Sequence, residues 1–247
     1  MPYEQTTIRT GDGDCPVCPA HVFTPDGAGP WPAAIMYMDA GGIRPAALEM
    51  AGRLAESGFV VLLPDLFYRF GPYGPLVPEE VFKGDVMAIL GPLMATTGND
   101  KAATDTKSYI AYLDSRPDVK RGRFGAVGFC MGGGMAITSA ATYPDRFAAA
   151  ASFHGGNLAT DAPTSPHRFA ARLQAELYIA AAENDAHYPA DMAERFEASL
   201  QDAGVPYRAE TYLGAAHGWM MPDFPVYNRT AAERGWSALL ALFKRTL

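Results

Sequence analysis

Gly128-Phe129-Cys130-Met131-Gly132 places a thiol between two glycines, each two residues away. A nucleophile on a strand-to-helix turn needs this spacing, because in so tight a turn the flanking positions have no room for a Cβ. Phe124 to Val127 is a short apolar run suited to a buried strand. From Met135 onward the residues are small and apolar, as in a helix packed on a sheet. Such a turn lifts Cys130 above the sheet and sets its sulfur at a helix N-terminus, where free amides and the helix dipole favour a thiolate. A phosphate loop does not fit. Residues 128–134 read Gly-x-x-x-Gly-Gly-Gly, not Gly-x-Gly-x-x-Gly, and Gly-Lys-Ser/Thr is absent.

A thiol nucleophile needs a base, and the base needs an acid to orient it. In the arrangement built on this kind of elbow, the acid and then the histidine follow the nucleophile along the chain. Of five histidines, His21 precedes Cys130, and His167 lies in the polar stretch Thr164-Ser165-Pro166-His167-Arg168. His187 falls just past the acid loop with no strand between. His154 follows a strand directly and is a secondary binding candidate. His217, in Gly214-Ala215-Ala216-His217-Gly218, stands after the last predicted strand, where the base belongs. Asp185 is the acid expected from its loop, with Glu183, two residues nearer the strand, as the other candidate. Two amides must meet the developing oxyanion. They are assigned to Met131, next after the nucleophile, and to Ala40, in the loop after the Ala33–Met38 run.

The elements that must carry these residues alternate. Residues 4–10 and 17–24 read as two antiparallel strands. Buried strands are expected at Ala33–Met38, Phe59–Leu63, the elbow strand, Phe147–Phe153, Leu177–Ala182 and Tyr207–Leu213. Helices are expected from Pro45 to a stop at Gly58, near 79–94 and 100–115, after the elbow, over 190–203 with Gly204 as cap, and near 228–245. Residues 66–78 form a long loop rich in Pro, Gly and aromatics, of the kind that shapes a pocket. This alternation predicts one α/β domain over residues 1–247, a doubly wound, mostly parallel sheet flanked by helices.

Composition narrows the function. The chain has 247 residues, 49% hydrophobic and 19% charged, with a net charge of −7 and no Lys/Arg run, which argues against nucleic-acid or anionic-membrane partners. The start, Met-Pro-Tyr-Glu-Gln-Thr-Thr, lacks the pattern of a signal peptide and no apolar run reaches membrane-span length, so the reading is cytoplasmic. Cys15 and Cys18 make a C-x-x-C without a second ligand pair or a redox βαβ context, and it is read as coincidence. No metal and no organic cofactor is called for.

These features resemble the dienelactone hydrolase family of α/β-hydrolases, whose elbow reads Gly-x-Cys-x-Gly-Gly. The resemblance rests on Met38-Asp39-Ala40-Gly41-Gly42-Ile43, Pro64-Asp65-Leu66-Phe67-Tyr68-Arg69, the elbow, Asn184-Asp185 and Ala216-His217-Gly218. It implies an α/β-hydrolase fold and hydrolysis of a small-molecule lactone or ester through a thiol acyl-enzyme. Cys130 attacks, His217 takes its proton and later activates water, and Asp185 holds His217. It also implies a loop carboxylate, here Asp39, that tunes the thiol and pairs with Arg69. Two departures stand out. The loop carboxylate is aspartate where the type enzymes have glutamate. The serine and later arginine that grip a substrate carboxylate after the histidine are replaced by Gly218-Trp219-Met220-Met221. Trp219, Met220, Met221, Phe67, Tyr68 and Phe70 therefore point to a more apolar pocket. The alternatives are a thioesterase or general carboxylesterase with such a substrate, and a binding protein that keeps the fold. The intact Cys, Asp, His order argues against the last.

Overall fold

The computed structural model describes residues 2–11 and 17–247. Its strands are β1 (Tyr3–Arg9), β2 (Val17–Phe23), β3 (Ala33–Tyr37), β4 (Val60–Pro64), β5 (Phe124–Phe129), β6 (Phe147–Phe153), β7 (Glu176–Asn184) and β8 (Tyr207–Ala216). They form one sheet in the order β1-β2-β4-β3-β5-β6-β7-β8. β1 and β2 are antiparallel to each other, β2 is antiparallel to β4, and every pairing from β4 through β8 is parallel. β3, β4, β5 and β6 are buried along their whole length, as continuous apolar runs in a sheet covered on both faces must be.

The helices are α1 (Pro45–Glu56), α2 (Pro78–Lys83), α3 (Val86–Met94), α4 (Asn99–Ser115), α5 (Met131–Thr142), α6 (Ala190–Asp202) and α7 (Arg229–Thr246). The α1 and α7 helices are bridged by Arg53 and Glu233, whose guanidinium and carboxylate meet at 2.6 and 2.8 Å. On α5, residues Gly132 to Ala141 are all buried, which is why this helix is built of glycine, alanine and short side chains. The expected helix over 79–94 is two helices. Gly84 ends the first, and the Asp85 carboxylate accepts from the Met87 and Ala88 amides to start the second. Among the described residues, no helix is long and apolar enough to cross a membrane.

The parallel strands β3, β5, β6, β7 and β8 all deliver their chain ends to one edge of the sheet, where ligands bind in open α/β folds. The loops carrying Asp39, Cys130, His154, Asp185 and His217 leave from that edge. Cys18 lies buried in β2 with its sulfur 3.4 Å from the Tyr109 hydroxyl, and burial pushes its thiol up to about 12. Cys15, its partner in the C-x-x-C, lies outside the described residues.

Candidate active site

Cys130 sits between β5 and α5 with φ 53° and ψ −119°, a left-handed conformation held by its surroundings. Both flanking glycines are required. A Cβ on Gly128 would lie 1.9 Å from the Gly132 carbonyl oxygen, and one on Gly132 would lie 2.2 Å from the Tyr37 carbonyl oxygen. The Cys130 amide donates to the Phe153 carbonyl and to His154 Nδ1, each at 3.1 Å.

The side chains of three predicted residues meet. His217 Nε2 lies 3.0 Å from Cys130 Sγ, and His217 Nδ1 lies 2.7 Å from Asp185 Oδ2. The other Asp185 oxygen accepts the His187 amide at 2.8 Å, so the carboxylate is fixed at both ends. Glu183 turns away and accepts the Gly214 amide instead. Burial works against a charged ring at His217, but hydrogen bonds to Asp185 and Cys130, with the charges of both, push it up to about 10. Among the described residues, no hydrogen-bond acceptor meets the Met131 or Ala40 amide.

Asp39 and Arg69 do not pair. Arg44, five residues on, reaches both Asp39 oxygens at 2.5 and 3.0 Å and also binds Asp223 at 2.7 and 3.0 Å. Both side chains of the Asp39–Arg44 pair are fully buried. Burial pushes the Asp39 carboxyl above its usual range against the pull of Arg44. Arg69 instead binds both oxygens of Asp105 on α4 at 2.9 and 2.8 Å, and the Tyr68 hydroxyl donates to Asp105 and lies 3.0 Å from the Thr10 hydroxyl.

A cavity of about 210 Å³ opens at Cys130, and Ala40, Met131, His187 and His217 line it too. Of the residues assigned to binding or thiol tuning, only Asp39 lines it. Trp219 is fully buried behind the site, stacked on Tyr212 with 4.3 Å between ring centres. His154 is buried under the elbow as an acceptor for the Cys130 amide, and burial, reinforced by the His217 charge, holds its ring neutral. Phe67, Met220 and Met221 are core residues, and Phe70 is exposed elsewhere. The apolar lining comes instead from Leu76, Val81, Val86, Leu90 and Met94 on and beside α2 and α3, with Phe224 against Phe82 of α2. The missed signal is Val86–Met94 itself, apolar on every side and too short to be an ordinary core helix. His187 was also missed as a lining residue. Its ring centre lies 4.9 Å from that of His217, brought there by the Asp185-x-His187 turn. Among the described residues, no group of three His, Cys, Asp or Glu side chains is set to hold a metal ion.

A sheet of this topology with a thiol elbow and facing histidine defines an α/β-hydrolase. The model of the dienelactone hydrolase family matches residues 18–247, and the chain belongs to that family, whose members are hydrolases of ester or lactone bonds. A curated relative from Synechocystis, named "Putative carboxymethylenebutenolidase", is 26% identical over 92% of this chain and 91% of its own. A solved structure from Klebsiella pneumoniae, titled "Putative Dienelactone Hydrolase", matches with TM-score 0.86 and 24% identity, covering 99% of this chain and 98% of that one. A dienelactone hydrolase-like promiscuous phosphotriesterase from metagenomic libraries shares the fold with TM-score 0.78 and 21% identity, covering 99% and 98%.

Proposed function

We propose that the protein hydrolyses a carboxylic ester or lactone through an acyl-enzyme on Cys130. The observation that carries this reading is the unbroken chain Cys130 Sγ, His217, Asp185, with contacts of 3.0 and 2.7 Å, at the floor of an apolar cavity. His217 donates from Nδ1 to Asp185 and holds at Nε2 the proton taken from the thiol, which the ring keeps below about pH 10. The sulfur then bonds to the substrate carbonyl carbon, and the π electrons move to the oxygen, toward the Met131 and Ala40 amides. As the carbonyl re-forms, the carbon–oxygen bond to the alcohol breaks and His217 Nε2 passes its proton to that oxygen. Water repeats the sequence. His217 takes its proton, the hydroxide adds to the thioester, the carbon–sulfur bond breaks and the thiol returns with the acid released.

Mixing the protein with an activated ester and quenching within the first turnovers should give an intact mass raised by one acyl group. Peptide mapping should place that group on Cys130. An adduct on another residue, or turnover with none on Cys130, contradicts the route.

The raised basicity of His217 also fixes a pH dependence. The ring stays protonated, and able to give its proton to a leaving alkoxide, until about pH 10. The expected result is that kcat/KM for an alkyl ester falls above about pH 10. A p-nitrophenyl ester, whose leaving group needs no proton, keeps its rate further up. The ratio of the two rates, taken at each pH on one enzyme sample, is the readout. A constant ratio through that range refutes the assignment. The same upward shift stabilises the fold fully below the ordinary value of 6.5, and that contribution is lost as pH climbs toward about 10.

A further inference from the structure

We infer that the substrate is a neutral ester whose acyl group is an apolar chain lying along α2 and α3, and that esters carrying a carboxylate on the acyl side are rejected. This deepens the ester-hydrolase reading above and rests on it. The first ground is what the cavity lacks. Among the described residues lining it there is no lysine or arginine; the Asp39 carboxylate is held by Arg44, and the His217 ring is held between Asp185 and Cys130. The nearest guanidinium is already spent. Arg44 makes five hydrogen bonds, two to Asp39, two to Asp223 and one to the Gly42 carbonyl, and a guanidinium has five N–H donors. A substrate carboxylate would therefore enter a largely apolar space with no lysine or arginine free to meet it and with the His217 ring already held by Asp185 and Cys130, which is costly.

The second ground is what the cavity offers. Val81 and Leu90 pack with Ala40 in one buried apolar cluster, against which Leu76, Val86 and Met131 lie. Ala40 and Met131 are the residues whose amides would hold the oxyanion, so this face adjoins the carbonyl. His217 must face the leaving alcohol to give it a proton, which assigns the α2–α3 face to the acyl group. Phe82 of α2 meets Phe224 edge-on, with 4.9 Å between ring centres, and closes the far wall. The volume of about 210 Å³ equals roughly seven waters' share of the liquid and is shared with the carbonyl and the alcohol, which bounds the acyl chain at about seven carbons.

The test is a set of p-nitrophenyl alkanoates from acetate to decanoate, a set of alkyl acetates of matched length, and mono-p-nitrophenyl glutarate beside p-nitrophenyl hexanoate. Wild type, Cys130→Ala, Leu90→Ala and Met87→Arg are compared. We expect kcat/KM to rise about fourfold per added acyl methylene, then level by about seven carbons. The acetate series should stay flat, and the glutarate monoester should be at least about tenfold poorer than the hexanoate. Leu90→Ala should move the optimum to longer chains. Met87 is 65% exposed at the rim, so Met87→Arg should fold and narrow the glutarate–hexanoate gap by supplying a cation. Cys130-dependent turnover that is flat in acyl length, steep in alcohol length or indifferent to the glutarate charge overturns this inference and leaves the ester-hydrolase reading standing. Absence of Cys130-dependent turnover on every ester overturns both.

Discussion

Cys130→Ala is expected to lower kcat/KM for ester hydrolysis by about 10⁴-fold or more, with the acyl adduct lost. The reason lies in how the three contacts depend on one another. His217 Nε2 meets the sulfur at 3.0 Å and Asp185 Oδ2 meets the ring's other nitrogen at 2.7 Å, so removing the proposed nucleophile leaves the base and acid nothing to act through. His217→Ala should cost about as much, and the double variant no more than either alone, because residues acting as a unit are not additive. Asp185→Asn should also lose a large factor, since an amide in its place no longer selects the tautomer with a bare Nε2. Steady-state kinetics on one activated ester, with thermal melting run alongside, separates these losses from misfolding. Near-wild-type rates in a folded Cys130→Ala variant would remove the mechanism.

Arg44→Met is expected to destabilise the protein by about 3–5 kcal/mol, the usual cost of stranding a buried charge. For a chain of this size that corresponds to a fall in Tm of about 10 °C. Asp39 is the stranded group, because both its oxygens rest on Arg44 and its side chain has no exposure. Asp223 is 28% exposed and can turn to water. The sign of the pH dependence distinguishes this cause from lost packing. With its guanidinium gone, the folded Asp39 pKa rises further above the unfolded one. The neutral acid is then favoured in the fold at low pH, and the penalty grows as pH rises through that folded value. Urea melts at pH 4.5 and 7.5 should show the variant closer to wild type at the acid end. Asp39→Asn added to Arg44→Met should recover part of the loss at pH 7.5. A penalty independent of pH and not relieved by the second change would mean that Arg44 acts through its hydrocarbon and ring contacts, including the Phe224 ring 5.1 Å away.

The parts of the site legible in the chain are those set by local backbone geometry or by order along a parallel sheet. A Cβ on Gly128 would lie 1.9 Å from the Gly132 carbonyl oxygen, a constraint within the motif itself, and one on Gly132 would lie 2.2 Å from the Tyr37 carbonyl oxygen of the neighbouring strand β3. His217 and Asp185 follow from which strand each loop leaves, and strand order is what alternating apolar runs encode. The choice of Arg44 rather than Arg69 as partner of Asp39 was not legible. It depends on the direction in which each long side chain leaves its loop, and both arginines lie equally well in sequence. Trp219 was misplaced for a related reason. An aromatic next to a loop histidine can point into the pocket or back into the core, and here Tyr212 captures it. The lining from α2 and α3 was hidden because an all-apolar stretch looks like interior, yet Met87, Ile89 and Met94 are exposed.

The cavity wall and the reacting groups come from different parts of the chain. Cys130, Asp185 and His217 stand at the ends of β5, β7 and β8, while nearly all the apolar wall comes from residues 76–94, one continuous excursion between β4 and α4. On the function proposed above, changes within that excursion that keep its packing on Ala40 and Met131 alter what is accepted without moving the reacting atoms. The fold thus keeps selectivity on a replaceable cassette, free to drift or diversify at a pace of its own while the strand ends stay as they are.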